Sequence, residues 1–229
     1  MSDIVLMSDD RVAAIPVADH GEPFADLRRH PELVIDDRLA DPAGAYAHVR
    51  EGVAERLLEA QRLLSGGLRL RVVEAYRPPE LQYRYFAEHA AELARAYPEW
   101  SPPWVHTQAS RFVAPPEIGP HVAGGAVDLT LCDADGAELA MGTEVNADPE
   151  ASGGACYTGA PGISAEARHN RDLLREALTA AGLVNYPTEW WHWSYGDRYW
   201  ALCTGADAAR YGHGPAIPAV PAVEGSDDA

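Results

Sequence analysis

The sequence predicts an α+β domain, an antiparallel sheet with helices packed on one side. Three observations carry this expectation. Residues 68–76 and 125–133 alternate apolar and polar side chains with the period of a half-buried strand. Asp133-Ala-Asp-Gly136 offers a tight turn into a short return strand at 137–141. Around these strands lie stretches of helical periodicity, bounded by capping residues, Gly or Pro.

The elements follow in order. Residues 1–30 are turn-rich, broken by Pro16, Gly21 and Pro23. A first helix is expected from Asp41 as N-cap and Pro42 at its first position. Its apolar side carries Val49, Val53, Leu57, Leu58, Leu63 and Leu64, and it stops at Gly66-Gly67. The strand at 68–76 leads through Arg77-Pro78-Pro79 into a second helix, which Pro98 ends near Tyr97. Residues 98–120 are rich in proline and aromatic side chains without a period, and read as a long ordered loop. After the hairpin, a second long loop covers 142–163, the kind of segment that often serves as a lid or specificity element. Ser164 caps a third helix that ends at Gly182. Two strands are expected at about 188–195 and 198–203, joined through Gly196-Asp197. Residues 1–205 form one domain on this reading, and 206–229, rich in Ala, Pro and Gly, a partly disordered tail.

Composition excludes several classes. The 229 residues are 47% hydrophobic, enough to bury a core, yet no run approaches the roughly 18 apolar residues of a membrane span. The net charge is −17, from 35 acidic against 18 basic side chains, which argues against nucleic-acid and anionic-membrane partners. All 18 basic residues are Arg, so a lysine Schiff base and a P-loop are both excluded. Cys132, Cys156 and Cys203 fit neither a disulfide framework nor a zinc spacing. The first ten residues lack the basic and apolar regions of a signal peptide, and the cytoplasm is the expected compartment.

Chemistry concentrates in two segments, Pro120-His-Val-Ala-Gly-Gly-Ala-Val-Asp128 and Glu189-Trp-Trp-His192. Two imidazoles, His121 and His192, with the carboxylate of Asp128 form a set that binds a divalent cation and leaves a position open. Glu189 adds a carboxylate able to handle protons. Gly124 and Gly125 allow the turn that brings His121 to Asp128. Asp128 opens an apolar strand, where a carboxylate is costly without a cation or donors; backbone amides capping a strand end are the alternative. On a regular strand Glu189 and His192 would face opposite ways, so a bulge or strand end is required. Most of the Trp and Tyr residues around them read as packing, with Trp191 a candidate pocket wall. Of the other histidines only His106 stays open, as a group supporting a ligand.

With Glu74-Ala-Tyr-Arg77-Pro78, Met141-Gly142-Thr143, Gly162-Ile-Ser164 and Asn170-Arg171, these segments resemble the D-alanyl-D-alanine dipeptidase group of the zinc D,D-peptidases, over about residues 25–200. That family also contains D,D-carboxypeptidases and cell-wall endopeptidases. The resemblance implies a zinc peptidase fold and one Zn2+ held by His121, Asp128 and His192. It makes Glu189 the general base and places Arg77 on the substrate carbonyl oxygen; a salt bridge at a strand end is the plainer reading of Arg77. The implied reaction is amide hydrolysis in a small dipeptide, D-Ala-D-Ala or a related or modified D-amino-acid dipeptide. Two departures bear on substrate binding. Gly119, followed by Pro120, stands where the family has Ser, and Asn146 falls where it has an Asp for the substrate ammonium group, with Asp148 two residues on. A non-haem iron enzyme using the same His/Asp/His set, and a metal-stabilised binding module without catalysis, are the competing readings.

Overall fold

The computed structural model describes residues 4–115 and 117–213. Its centre is a five-stranded sheet in the order β2 (Val34–Ile35), β4 (Arg69–Glu74), β5 (Ala126–Cys132), β7 (His192–Ser194), β6 (Val184–Asn185). All neighbours are antiparallel except β2 and β4. The chain leaves β2 and returns to β4 by a crossover containing a helix, the connection that parallel neighbours require. A separate antiparallel pair joins β1 (Phe24–Asp26) to β3 (His48–Arg50).

Two amphipathic helices cover one face of the sheet. Val53, Ala54 and Leu57 of α2 (Glu51–Leu63) and Leu174, Ala177 and Leu178 of α5 (Ala165–Ala180) share one core with Leu70, Val72, Val127, Leu129 and Leu131. Helices α3 (Pro79–Ala96) and α4 (Pro102–Ala109) pack together and border the other face. The expected α+β class is therefore present, with its helices divided between a core layer and a rim.

Several boundaries differ from the sequence reading. Asp41 caps a turn, accepting from Ala43 N and Tyr46 N at 2.9 Å each. His48–Arg50 then pairs with β1, so the helix starts only at Glu51. The expected loop at 98–120 contains α4, opened by Ser101, whose Oγ accepts from Trp104 N, and by prolines that fit a first helical turn. The return strand at 137–141 reduces to a single bridge, Cys132 to Glu138. Residues 198–204 form helix α6 (Arg198–Thr204), because Asp197 accepts from Tyr199 N at 2.7 Å and Trp200 N at 3.1 Å. Short α1 (Asp10–Ala13) packs against α6.

Residues 206–213 pack onto the domain. Ala209 exchanges backbone bonds with Pro16 and Ala18, and the Tyr211 hydroxyl donates to Glu22. Both are buried, which fixes this part of the expected tail; residues 214–229 lie outside the described residues. The three cysteines are free, with Cys203 on the surface. No helix among the described residues is long and apolar enough to cross a membrane.

Candidate metal centre

Strand register builds the site. Asp128 pairs with His192 across β5 and β7, so the two side chains leave the same face of the sheet, opposite the apolar core. On its other side Asp128 pairs with Glu74, because a bulge between Val72 and Glu74 shifts the register of β4 by one residue. Val72 thus stays in the core while Glu74 joins Asp128 and His192 in a polar row across three strands.

His121 reaches this row from the turn before β5. The turn is closed by Gly124 N to His121 O at 3.0 Å and Gly125 N to Pro120 O at 3.1 Å. Gly124 has φ +70°, and a Cβ there would lie 2.3 Å from the Phe24 ring, so glycine is needed for both conformation and space. His121 Nδ1 donates to Ala75 O at 2.6 Å, leaving its Nε2 lone pair toward the row.

The three groups converge as the sequence anticipated. His192 Nδ1 lies 3.0 Å from Asp128 Oδ1, and His121 Nε2 lies 3.4 Å from that oxygen and 3.2 Å from His192 Nδ1. Three N and O donors around one tetrahedral ion, each at about 2.0–2.1 Å, would sit about 3.3 Å apart. All three residues are buried. Burial keeps His192 below its usual pKa and hence neutral, while the two imidazoles hold the Asp128 carboxylate well below the usual carboxylate range against its burial. This donor set fits a divalent cation, and among the described residues no backbone amide caps the Asp128 carboxylate in the way the alternative required.

Glu189 stands beside the triangle. It lies in the turn before β7 and therefore escapes the strand alternation that would have turned it away from His192. Asn185 holds that turn, its Nδ2 donating to Glu189 O and His192 O at 3.0 Å each. Glu189 Oε2 is 3.8 Å from His192 Nδ1, and Oε1 is buried without a partner among the described residues. Burial, then the charge of Asp128, push the Glu189 carboxyl well above its ordinary value, partly offset by Arg77.

Arg77 faces the same cavity from the end of β4. Its Nε donates to Glu74 Oε1 at 2.7 Å, its Nη2 to Glu74 Oε2 and its Nη1 to Gln82 Oε1 at 2.8 Å. Burial opposes its charge, but Glu74 outweighs that and raises its pKa. The salt bridge and the site position are thus one arrangement. Glu74 and Gln82 were missed as site residues, although the spacing Glu74-x-x-Arg77 was a usable signal.

The cavity has a volume of about 340 Å³ and is lined by the donor triangle, Glu189, Arg77, Pro120 and Asn146, with α3 contributing Gln82, Tyr85 and Glu88. Asn146 sits at the mouth with φ 64°, a left-handed conformation that Asn tolerates better than most residues. Asp148 is engaged elsewhere, its Oδ1 accepting from Ala151 N at 2.7 Å. Two expected substrate contacts are not among the residues lining the cavity. Gly119 faces a separate pocket beside Tyr211 and Asp197, and Trp191 is fully buried in the core, where its bulk packs against the helical layer. His106 is exposed on α4, its ring tilted by 59° to that of Phe86 with centroids 4.9 Å apart, and is not among the residues lining the cavity. Asn170 and Arg171 tie down the long loop through Ala140 O, Met141 O, Ala155 O and Tyr157 O.

Comparison with known proteins identifies the family of the chain. A family profile described as D-ala-D-ala dipeptidase matches residues 35–205. The chain belongs to that family. The D-alanyl-D-alanine dipeptidase of Synechocystis sp. is 29% identical over 228 residues, covering 82% of this chain and 87% of the relative. That of Escherichia coli K12 is 32% identical over 127 residues, covering 55% and 54%. Among solved structures, a variant of the vancomycin resistance D,D-pentapeptidase VanY in complex with Zn(II) aligns with 18% identity and a TM-score of 0.40, over 71% of this chain and 80% of that one. The protein is thus an enzyme of a peptidase family.

Proposed function

We propose that this dipeptidase-family enzyme is a zinc-dependent hydrolase of a small D-amino-acid dipeptide, D-Ala-D-Ala or a related or modified one. The observation that carries the reading is the triangle of His121, Asp128 and His192 with Glu189 at its edge, one of whose carboxylate oxygens has no hydrogen-bond partner among the described residues. The triangle would hold Zn2+, which when bound supplies an acidified water and polarises the scissile carbonyl. Glu189 takes a proton on its carboxylate as water attacks the amide carbon, then returns it to the leaving amine. Its raised pKa moves it toward neutrality, the range in which one group serves as both base and acid. Arg77, kept ionised and oriented by Glu74 and Gln82, presents its remaining N–H donors to the oxyanion that develops on the carbonyl oxygen. Proton transfer needs an acid–base group beside the metal, which Glu189 provides; oxygen chemistry at iron would leave it without a task.

The catalytic unit on this reading lies within residues 1–205, including the N-terminal segment that reaches the cavity through Met7. Pro120 and Asn146 line the substrate pocket, and an amide rather than a carboxylate meets the amino end of the dipeptide. The test is metal analysis combined with hydrolysis of D-Ala-D-Ala, L-Ala-L-Ala and N-acetyl-D-Ala-D-Ala, before and after chelation. Glu189→Ala should keep the metal and lose about two or more orders of magnitude in kcat. Turnover that survives complete removal of metal would refute the reading.

A further inference from the structure

His192 uses only one of its ring nitrogens in the donor triangle. Nδ1 lies 3.0 Å from Asp128 Oδ1, while Nε2 is buried and has no hydrogen-bond partner among the described residues. A neutral imidazole that gives its Nδ1 lone pair to a cation must carry its proton on Nε2, and a buried N–H without an acceptor is costly.

The chain supplies an acceptor just beyond β7. After Ser194, the Tyr195 N–H is anchored on Gly125 O at 2.8 Å and the chain reverses at Gly196, φ +75°, where a Cβ would lie 2.5 Å from Tyr211. This reversal puts Asp197 at the start of α6, its Cβ 3.4 Å from where a Cβ on Gly125 would lie, and 2% exposed. Its two oxygens differ. Oδ1 caps the helix, accepting from Tyr199 N and Trp200 N, whereas Oδ2 is buried without a hydrogen-bond partner among the described residues. Burial pushes the Asp197 carboxyl above its ordinary value; Ser194, on the same face of β7 as His192, lies close enough to Asp197 to oppose that shift without meeting full hydrogen-bond geometry. Two complementary orphans, a ring nitrogen of His192 and a carboxylate oxygen of Asp197, are thus buried within six residues of chain that also hold the Ser194 hydroxyl.

We propose that Asp197 is a positioning residue for His192: its free Oδ2 takes the Nε2–H, directly or through one water shared with Ser194 Oγ, and so keeps Nδ1 open toward Asp128 and His121. The inference rests on the metal site proposed above. One imidazole then lies between two carboxylates, and the proton that Asp128 draws to Nδ1 in the metal-free protein moves to the Asp197 side when a cation binds. The same carboxylate caps α6, which couples that helix to the order of the site.

The experiment is a zinc competition titration against a chromogenic chelator for the wild-type protein, Asp197→Asn and Asp197→Ser, with thermal unfolding of each metal-free protein. Both replacements keep a helix-capping oxygen, and both remove the anionic acceptor. Zinc affinity should fall by roughly 10- to 100-fold in both, with little change in metal-free Tm. In the zinc-loaded wild type, the His192 Nε2–H should give a slowly exchanging ring signal by nitrogen-15 NMR that both variants lose. Variants that hold zinc as tightly as wild type, or whose only defect is a lower metal-free Tm, would overturn the role of Asp197. A wild-type protein that binds no zinc would instead overturn the site itself. Should Asp197→Asn fail to fold, Asp197→Ser and Ser194→Ala, which leaves the cap intact, decide by the same titration.

Discussion

Replacing Glu74 by Gln isolates the arrangement that holds Arg77 in the cavity. The pair is deeply buried, with side-chain exposures of 5% for Glu74 and 11% for Arg77. Glutamine keeps the volume and one acceptor oxygen, but its amide hydrogens meet the guanidinium N–H groups where a second acceptor stood. Two unit charges about 4 Å apart attract by about 4 kcal/mol at an effective dielectric constant of about 20. Breaking a buried pair from one side typically costs about 3–5 kcal/mol, because the remaining charge is left uncompensated. Asp128 also acts on Arg77 and compensates part of that charge, so a loss near the lower end, about 3 kcal/mol, is expected. For a chain of this size that corresponds to a fall in Tm of about 6–12 °C. Thermal unfolding by circular dichroism measures it, alongside kcat, which should fall as Arg77 loses its fixed direction. The double variant Glu74→Gln with Arg77→Met removes the orphaned charge, and should recover much of the stability while staying inactive. A single variant within about 1 kcal/mol of wild type, or a double variant no more stable than the single, would refute this account of the pair.

Three further expectations follow from other parts of the structure. Gly124→Ala forces a Cβ to within 2.3 Å of the Phe24 ring at a left-handed φ, and should destabilise by about 3 kcal/mol in urea unfolding and weaken metal binding through His121. Asp36 is buried and receives Arg38 Nε at 2.9 Å and Arg71 Nε at 2.6 Å; burial raises its pKa, but these donors outweigh it and hold it below 3.8. Its contribution is therefore full above pH 3.8 and drains away as pH falls through the lower folded value, so Asp36→Asn should cost about 2 kcal/mol at pH 7 and progressively less below pH 3.8 in Tm measured against pH. Asn146→Asp restores a carboxylate at the cavity mouth, and should lower KM for free D-Ala-D-Ala by about tenfold, with little effect on an N-acetylated dipeptide; equal effects on both substrates would argue against an ammonium contact there.

What was legible in the sequence is what local chemistry determines. The alternation of Val127, Leu129 and Leu131 around Asp128 fixed both a strand and the face its carboxylate would take. Two histidines and an acid in short segments with a glycine turn sufficed to name the three groups that converge, and Glu189 three residues before His192 already demanded an irregular strand end, which the turn before β7 supplies. Ser164 and Gly182 marked α5 to within two residues, since caps act within one helical turn. Two errors had local signals that were outweighed: Ser101-Pro102-Pro103 opens α4 inside a proline-rich stretch, and Asp197 caps α6 beneath aromatic residues that favour strands.

The remainder was decided only by tertiary structure, because it depends on pairings between segments far apart in the chain. His48–Arg50 is a strand because Phe24–Asp26 lies beside it, and that pairing displaces the helix start to Glu51. Glu74 enters the site because a bulge slips one residue between β4 and β5, a register that no periodicity within 68–76 reveals. Trp191 is buried and Asn146 stands at the cavity mouth for the same reason: burial is set by what packs opposite a residue, and a sequence shows only its neighbours along the chain. Asp197 is the last such case, a helix cap by its local sequence whose second carboxylate oxygen is buried only once the chain has turned back at Gly196.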